Sequence, residues 1–345
     1  MAIEADRQAI TDLPMTSRVL QSLRESARLL STHYSTQIEG NRLTEAQVKK
    51  VIEGGGRFPG RERDESEVRN YFRALEFIEG QAREQVQISE TLIQGIHGLT
   101  YHGRLKPSDY RDGQNVIRNS MSGGIVYMPP EARDVGGLMA QLVYWINAAV
   151  IENELPIPII AALAHYQFAT IHPYYDGNGR TARLLTTFIL HRYGYGLKGI
   201  YALEAYYARK LEDYYEALDV GEGHNYYTGN RAQADVTGFI AYFIKGMADS
   251  FSHVRQQASK QQSLGQRDQS SILRKLSPVQ RQALDLFREQ MEINAKDVAK
   301  LFKVSQRQAS RYCQQWVGQG FLVVADPAKR SRRYRLSPEY ESLFA

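Results

Sequence analysis

One stretch of this 345-residue chain combines residue types that can do chemistry on phosphates. It runs His172-Pro173-Tyr174-Tyr175-Asp176-Gly177-Asn178-Gly179-Arg180-Thr181-Ala182-Arg183. Apolar segments of helical length flank it, so we predict a loop that leads into the N-terminus of a helix. Pro173 has no N–H donor and disfavours the α conformation of the residue before it, which ends the first helix at His172.

The second half of this stretch suits a polyphosphate. Gly177 and Gly179 flank Asn178, and glycines permit positive φ and close approach of a ligand to the backbone. Unpaired N–H groups at a helix start attract anions, helped by the helix dipole. Arg180 and Arg183 are three residues apart, so they share a helix face and can clamp several phosphates.

The first half of the stretch adds a base and a metal ligand. His172 can take up a proton near neutral pH. A lone carboxylate such as Asp176, beside bound phosphates, is a usual way to hold Mg²⁺. Each feature alone has a more common structural explanation, as a helix stop, a turn or a solvated arginine face. Together they predict phosphoryl or nucleotidyl transfer without a P-loop, since GxxxxGK[ST] is absent.

The stretch resembles the signature HPFx[DE]GNGRxxR of the Fic (Fido) family, with Tyr174 in place of the usual Phe. The extra hydroxyl of this tyrosine needs a hydrogen-bond partner if it is buried. The resemblance implies an α-helical enzyme that transfers a nucleotide monophosphate, usually AMP from ATP, to a hydroxyl of a target protein. Self-modification is a further expectation.

The resemblance also implies a role for each matching residue. His172 is the general base for the Ser, Thr or Tyr hydroxyl, and Asp176 holds Mg²⁺. Arg183 pairs with the γ-phosphate of ATP. The α- and β-phosphates are bound by Gly177, Asn178, Gly179 and Arg180.

A segment far upstream resembles the inhibitory motif [ST]xxxE[GN] of the same family. It is Ser35-Thr36-Gln37-Ile38-Glu39-Gly40, at the end of a helix that we predict from Pro14 to Ile38. On pattern alone Ser35 and Glu39 would be a solvated helix end. The resemblance implies instead that Glu39 pairs with Arg183 in the place of the γ-phosphate. What relieves this inhibition is not visible in the sequence; a homodimer is one expectation, without a located interface.

Two short β-branched runs around a Gly/Asn/Ser loop predict a β-hairpin. The resemblance implies that this hairpin is the family's flap, whose open edge takes up the target as an added strand. Such recognition uses backbone bonds, so the sequence does not name the target. The predicted flap residues are Val116, Ile117, Ile125, Val126 and Tyr127.

Tyr214 and Tyr215 match the family's adenine-binding tyrosines, with Leu218 following. Asn225 and Asn230 are both candidates for an asparagine that contacts the base. We interpret His97 and His165 as structural histidines of apolar helices.

The last part of the chain carries the net positive charge. The whole chain has a net charge of +5, while residues 271–345 hold 14 Lys and Arg against 7 Asp and Glu. Three short helices and a basic strand–turn–strand resemble a winged helix, with Ser305 as the cap of the third helix. The sequence leaves both DNA and a protein open as the partner of this domain. The predicted DNA contacts are Gln306, Arg307, Arg311, Arg330 and Arg332.

Composition bounds the protein more loosely. Apolar and charged fractions of 43% and 23% are ordinary for a soluble protein. Cys313 is the single cysteine of the sequence, so an internal disulfide and a multi-cysteine zinc site are ruled out. Neither a secretory signal nor an uninterrupted apolar run of membrane-spanning length is visible, so we expect a cytoplasmic protein without a membrane partner.

We therefore predict a mainly α fold: a Fic-type helical bundle with a β-hairpin flap, followed by a small winged helix-turn-helix domain. The predicted divisions are an N-terminal helical segment (1–60), a catalytic domain (61–254), a linker (255–272) and a winged helix-like domain (273–345). Two function classes stay open. One is an AMP transferase that uses ATP and Mg²⁺, or a Fic enzyme that transfers UMP or phosphocholine or removes AMP. The other is a DNA-associated regulator whose Fic-like domain senses nucleotide.

Overall fold

The structure is a computed structural model. It describes residues 2–13, 15, 17–118, 123–220, 225–228, 234–264, 272, 275–288, 290–326, 328, 332–341 and 343. Several predictions lie outside these residues. They are the tip of the hairpin (119–122), Asn230, Arg330 and residues 265–271 of the predicted linker.

The described part of the chain is mainly helical, as predicted. It divides into two compact units, one of Met1–Arg7 and Ser26–Ser252, the other of Gln8–Glu25 and His253–Ala345. The helices up to residue 264 are α1 (Ala2–Asp12), α2 (Ser17–Ile38), α3 (Glu45–Ile52), α4 (Glu62–Arg83), α5 (Glu90–His102), α6 (Ala132–Glu152), α7 (Ile157–Ile171), α8 (Asn178–Arg192), α9 (Glu204–Arg209), α10 (Leu211–Leu218) and α11 (Thr237–Leu264).

Helices α7 and α8 form the centre of the first unit. They pack against each other, and α8 also packs against α4 and α5. α7 is apolar on nearly all sides, so it is buried from Ile160 to Ile171 with few exceptions. α8 is the next helix after α7 in the chain, so the loop that connects them is held between two buried helices.

Local sequence signals account for several helix boundaries. The sequence Thr44-Glu45-Ala46-Gln47 predicts a capping box, and the structure confirms it: the Thr44 side chain accepts from the Gln47 N–H, and the Gln47 side chain accepts from the Thr44 N–H. The sequence predicts one helix from Tyr206 to Ala217, but the structure has two, because Lys210 has a non-helical backbone (φ −142°). The sequence also predicts a helix over Phe239–Phe251, followed by a polar helix extension or a linker. The structure has the extension as far as Leu264, since no Gly or Pro interrupts these polar residues.

The predicted hairpin consists of β1 (Ile117–Arg118) and β2 (Ile125–Tyr127), which are antiparallel. Ile117 lies opposite Tyr127, and Arg118 lies opposite Ile125. The Tyr127 side chain is buried, and its hydroxyl donates to the carbonyl of Thr170 at the end of α7 (2.9 Å). This bond attaches the base of the hairpin to the helix that leads into the phosphate loop.

The second unit has a small core of its own. Its elements after residue 264 are α12 (Pro278–Ala283), a 3₁₀ turn (Leu284–Phe287), β3 (Ile293–Asn294), α13 (Ala295–Phe302), α14 (Gln306–Gly318), β4 (Leu322–Asp326), β5 (Arg333–Leu336) and α15 (Pro338–Glu341). The strands form an antiparallel sheet in the order β3-β5-β4. Phe287, Trp316 and Phe321 lie in the core. The predicted cap is confirmed, since Ser305 accepts from the Gln308 N–H. The winged-helix assignment stays a prediction.

One described helix, α6, is long and apolar enough to cross a membrane by length and composition. The search of the sequence for an uninterrupted apolar run did not find this helix. A single helix of this kind is weak evidence, because the core helix of a soluble protein passes the same test.

Candidate active site

The loop between α7 and α8 has an unusual backbone at both ends. His172 follows α7 in the left-handed region (φ 50°, ψ 60°), and Pro173 comes next. Gly177 precedes α8, also left-handed (φ 79°). Such a conformation is strained for a residue with a side chain, and strain of this kind is concentrated at functional sites. Only glycine adopts it without steric cost, which explains Gly177.

The side chain of Asn178 fixes the shape of this loop. Its Oδ1 accepts from the N–H of Tyr174 (2.9 Å), and its Nδ2 donates to the carbonyl of the same residue (2.7 Å). The ring of Tyr174 is buried and stacks on His97 with 3.6 Å between centroids. We expected this hydroxyl to need a hydrogen-bond partner if the ring is buried, but it forms no hydrogen bond within the described residues.

His97 supports the loop from α5, in agreement with its predicted structural role. Its Nε2 lies 2.9 Å from the carbonyl oxygen of Asp176, to which it donates when it carries the ring proton. Burial lowers the pKa of His97 to about 4, so the ring is neutral at pH 7.

His172, the predicted general base, is also neutral at pH 7. Burial lowers its pKa to about 4, although the charge of Glu39 acts in the opposite direction. Its Nδ1 lies 3.4 Å from the carbonyl oxygen of Ala169, an arrangement that favours a proton on Nδ1. Nε2 then has a free lone pair and can accept a proton.

The backbone of His172 is held by Arg111, a residue that the sequence analysis missed. Arg111 is buried, and its Nε donates to the carbonyl of His172 (3.0 Å). The same guanidinium donates to the carbonyls of Gly113 (3.0 Å) and Pro130. It therefore ties the loop to both ends of the hairpin. A buried arginine among carbonyls has no sequence signature, because its partners are distant in the chain.

The first turn of α8 presents three backbone N–H groups. Those of Asn178, Gly179 and Arg180 donate no hydrogen bond within the described chain, whereas the N–H of Thr181 donates to the carbonyl of Gly177 (3.0 Å). A side chain at Gly179 would collide with Oε1 of Glu39. A carboxylate oxygen therefore lies directly against this turn, where an anion is favoured by the helix dipole.

Arg183 lies beneath that carboxylate and is held by α2. Its Nη2 donates to Oε1 of Glu39 (2.7 Å) and to the carbonyl of Ser35 (2.9 Å), and its Nε donates to the Ser35 hydroxyl (2.7 Å). Arg183 is 2% exposed. Burial alone would lower the pKa of Arg183, but the charge of Glu39 and nearby hydroxyls raise it overall, so the guanidinium stays charged.

Arg180 contacts two carboxylates. Its Nη2 donates to Oδ1 of Asp176 (3.1 Å), and its Nη1 lies 3.9 Å from Oε1 of Glu67. Asp176 Oδ1 also accepts from the Gly177 N–H (2.5 Å). Among the described residues, the partner of the other oxygen, Oδ2, is Arg63 at 3.8 Å, and the Asp176 side chain is 42% exposed. This oxygen fits a divalent cation whose other ligands are waters and nucleotide phosphates.

The two predicted adenine-binding tyrosines differ in environment. Tyr214 is 2% exposed, whereas Tyr215 is 49% exposed and its hydroxyl lies 3.4 Å from the carbonyl of Ile38. Asn225 pairs with Met128 beside the hairpin. His165 is fully buried and hydrogen-bonded at both ring nitrogens, so the prediction of a satisfied core histidine is confirmed.

The predicted flap residues lie on or beside the two strands of the hairpin. Ile125 is 41% exposed, while Val116, Ile117 and Val126 are partly exposed. No further strand among the described residues pairs with β1. The side chain of Asn115 donates to the carbonyl of Tyr174 (3.1 Å), which connects the hairpin to the phosphate loop a second time.

In the second unit, four of the five predicted DNA-contacting residues are described, and all four are exposed. Gln306, Arg307 and Arg311 are exposed on α14, and no ion pair is found for the two arginines within the described residues. Arg332 is exposed just before β5.

Comparison with known proteins agrees with this fold. Residues 87–190 match the family model described as Fic/DOC family. The protein adenylyltransferase Fic of Drosophila erecta is 30% identical over 195 residues, which is 56% of this chain and 38% of that protein. The counterpart in Drosophila virilis is 30% identical over 196 residues, 56% of this chain and 39% of that protein. This chain thus spans about two fifths of the length of these curated relatives.

Two solved structures extend the similarity. A Fic family protein from Desulfovibrio desulfuricans is 26% identical, with a TM-score of 0.58 over 98% of this chain and 96% of that one. A Fic domain containing signaling protein from Bacteroides thetaiotaomicron is 24% identical, with a TM-score of 0.65 over 75% of this chain and 97% of that one.

The part of the chain that matches the Fic/DOC family model, residues 87–190, includes the loop from His172 to Gly177 and the first turn of α8.

Proposed function

We propose that this protein transfers AMP from ATP to a Ser, Thr or Tyr hydroxyl of a protein, and that Glu39 holds this activity down. The observation that carries the proposal is the position of the Glu39 carboxylate. It lies against the first turn of α8 and on Arg183, so an anion already occupies the place that a terminal phosphate would take. A carboxylate and a phosphate oxygen accept the same hydrogen bonds from a guanidinium.

The other residues of the loop supply the remaining parts. The three unpaired N–H groups of α8, with Arg180, bind the α- and β-phosphates. The target hydroxyl oxygen attacks the α-phosphorus and gives its proton to Nε2 of His172. A bond from this oxygen to phosphorus forms, the bond to the β-phosphate oxygen breaks, and pyrophosphate leaves. Asp176 would hold Mg²⁺, which neutralises phosphate charge when bound.

The relatives support this reaction class. The matching proteins from two Drosophila species are named protein adenylyltransferases. The hairpin, attached to α7 by Tyr127 and to the loop by Asn115, is the proposed binding edge for the target.

The test is transfer of label from α-phosphate-labelled ATP to protein in the presence of Mg²⁺. We expect weak label with the natural sequence, strong label with Glu39→Gly, and none with Glu39→Gly/His172→Ala. Glu53→Gly is a matched control, because this glutamate is exposed at the end of α3 and far from the loop in sequence.

Three outcomes would count against parts of the proposal. If Glu39→Gly binds ATP but labels neither itself nor any protein of a cell extract, AMP transfer is wrong. If it labels protein equally well from UTP, the nucleotide assignment is wrong. Label that persists in the His172→Ala double variant would remove His172 as the base.

We also propose a second function, DNA binding through the second unit. The observation in favour is that Gln306, Arg307 and Arg311 are exposed near the start of α14. The double variant Arg307→Glu/Arg311→Glu should weaken a salt-dependent gel shift and reduce the slope of log affinity against log salt by about 2. Lys49→Glu/Lys50→Glu on α3 is the control. No binding by the natural sequence at low salt would refute this function.

We propose a cytoplasmic location as well, which cell fractionation tests directly. Recovery of the protein with membranes after a high-salt wash would contradict it.

A further inference from the structure

The chain directly after Glu39 is fastened to the start of α4 by the side chain of Asn41, which is 6% exposed. Its Nδ2 donates to the carbonyl of Asp64 (2.9 Å) and to Oε2 of Glu67 (3.2 Å). Its Oδ1 accepts from the N–H of Leu43 (3.1 Å). The inhibitory motif ends before this residue, so the motif does not account for these contacts.

The backbone between Glu39 and Asn41 is fixed by the way in which α2 ends. Gly40 is in the left-handed region (φ 90°). Its N–H donates to the carbonyl of Gln37 (2.9 Å), and the N–H of Asn41 donates to the carbonyl of Thr36 (3.1 Å). These two bonds form the Schellman motif, in which helices commonly end. Asn41 therefore belongs to the same turn that holds the backbone of Glu39.

Glu67 connects this turn to the phosphate loop. Its side chain is 14% exposed. Oε2 accepts from Asn41, whereas Oε1 accepts from Nε of Arg63 (3.0 Å) and lies 3.9 Å from Nη1 of Arg180. One carboxylate thus faces an arginine that is proposed to bind phosphate and also holds the turn that follows Glu39.

Two anchors therefore flank Glu39. Ser35, one turn before it, binds Arg183, and Asn41, two residues after it, binds α4. We propose that Asn41 and Glu67 are positioning residues that keep the Glu39 carboxylate on the phosphate site, and that the turn separates from α4 when ATP displaces Glu39. This inference rests on the proposed function, in which Glu39 competes with the γ-phosphate.

The apparent affinity for ATP then depends on the stability of the anchored turn. Only the molecules in which the turn has separated bind ATP well, so the measured Kd is the intrinsic Kd divided by their fraction. A substitution that weakens the anchor lowers the Kd, down to the limit set by Glu39→Gly. Loss of the fold would raise the Kd, so it cannot imitate this effect.

The experiment measures the Kd of ATP, with Mg²⁺, for the full-length protein. Asn41→Asp keeps the acceptor for Leu43, but it loses the donor and places a second negative charge against Glu67. We expect the Kd to fall about tenfold, the usual effect of losing a hydrogen bond to a charged group, and label transfer to increase. In the Glu39→Gly background the same substitution should change the Kd by less than about twofold, because no inhibitory carboxylate is left to position.

A compensating substitution tests the contact itself. Adding Glu67→Gln to Asn41→Asp supplies an amide that can donate to the new carboxylate, so the Kd should return most of the way to its natural value. Loss of the Glu67 charge alone cannot imitate this rescue, because it leaves Arg180 more available to a phosphate and would lower the Kd. Failure of the rescue would refute the role of Glu67.

Gly40→Ala weakens the turn without altering Asn41. A Cβ at Gly40 would have no atom within 4 Å, so the substitution strains only the left-handed backbone. It should lower the Kd of ATP about fivefold. Gly54→Ala, just after α3, is the matched control, because Gly54 has a similar φ (77°) and equally open surroundings; it should leave the Kd unchanged. This pair still tests the proposal if Asn41→Asp fails to fold.

Glu39→Gly is the reference. If it leaves the Kd of ATP unchanged, the competition between Glu39 and the γ-phosphate is wrong, and the positioning role is wrong with it. If Glu39→Gly lowers the Kd but Asn41→Asp and Gly40→Ala do not, only the positioning role is refuted, since the Glu39 side chain then leaves Arg183 while the turn stays on α4. A further fall of the Kd when Asn41→Asp is added to Glu39→Gly would also refute it.

Discussion

Nη2 of Arg183 donates to Oε1 of Glu39 over 2.7 Å, and this ion pair joins two residues that are 144 positions apart in the sequence. The same carboxylate lies against Gly179 at the start of α8. One oxygen therefore contacts both the guanidinium and the helix turn that are proposed to bind phosphates.

Removing the charge of Glu39 should destabilise the resting protein and improve ATP binding together. Glu39→Gln leaves a 2%-exposed guanidinium without this carboxylate. Because the Glu39 side chain is itself 27% exposed, we expect a cost of about 1–2 kcal/mol, below that of breaking a fully buried pair. Saturating ATP should raise the free energy of unfolding of this variant by more than saturating ADP does. Denaturant unfolding with and without each nucleotide checks this, with Glu53→Gln as control. Equal stabilisation by ATP and ADP would contradict it.

Arg111→Lys should reduce both stability and catalysis. A lysine cannot donate to the carbonyls of His172, Gly113 and Pro130 at once, so buried acceptors lose their partners at about 1–3 kcal/mol each. Thermal unfolding and label transfer in the Glu39→Gly background measure the two effects. A variant with full activity would show that Arg111 does not hold the catalytic loop.

Asn178→Asp should distort the phosphate loop. The aspartate keeps an acceptor for the Tyr174 N–H but loses the donor to its carbonyl and places a charge against it. We expect a loss of about 2 kcal/mol in stability and weaker binding of ATP and ADP alike, since both need the α8 turn. Binding of ADP at the natural affinity would be inconsistent with this role.

The activity of the Glu39→Gly variant should not follow the titration of an ordinary histidine. Burial lowers the pKa of His172 to about 4, and loss of Glu39 removes a charge that raises it. The base is therefore in its neutral, active form throughout pH 5–8, and activity falls only as pH drops through the lowered pKa. A profile of kcat/KM should be flat from pH 5 to 8. A fall centred near pH 6.5 would contradict the burial of His172.

Acid should destabilise the fold through its buried histidines. Burial lowers the pKa of His97 to about 4 and of His165 to about 3, while the unfolded chain binds these protons near pH 6.5. The stability is complete above pH 6.5 and falls as pH decreases towards these folded-state values. Between pH 7 and 5 each ring contributes a loss of about 2 kcal/mol. The raised pKa of buried Glu204 acts in the opposite direction.

Urea unfolding at several pH values tests this slope. His165→Gln should make this pH dependence shallower than that of the natural protein. An equal slope for natural protein and His165→Gln would show that His165 is not the source.

Local rules made part of this protein predictable from sequence. Pro173 ends α7, Gly177 supplies a left-handed turn, and Thr44 and Ser305 cap their helices, because each effect acts on backbone groups within four residues. The chemistry of the phosphate loop is also local, since its residues are adjacent in the chain. The pairing of Glu39 with Arg183 was implied only by resemblance to a family.

Other features depend on tertiary structure. Arg111, Tyr214 and His165 gain their roles from partners that lie tens of residues away, and α11 continues where composition suggested a linker. The packing of the helices decides which groups a side chain can form hydrogen bonds with. Burial then decides whether the side chain is charged and which of its atoms has the proton. Sequence alone determined which groups the site contains; only the packed fold decided which of them touch Arg183 and His172, because those contacts are made across helices rather than along the chain.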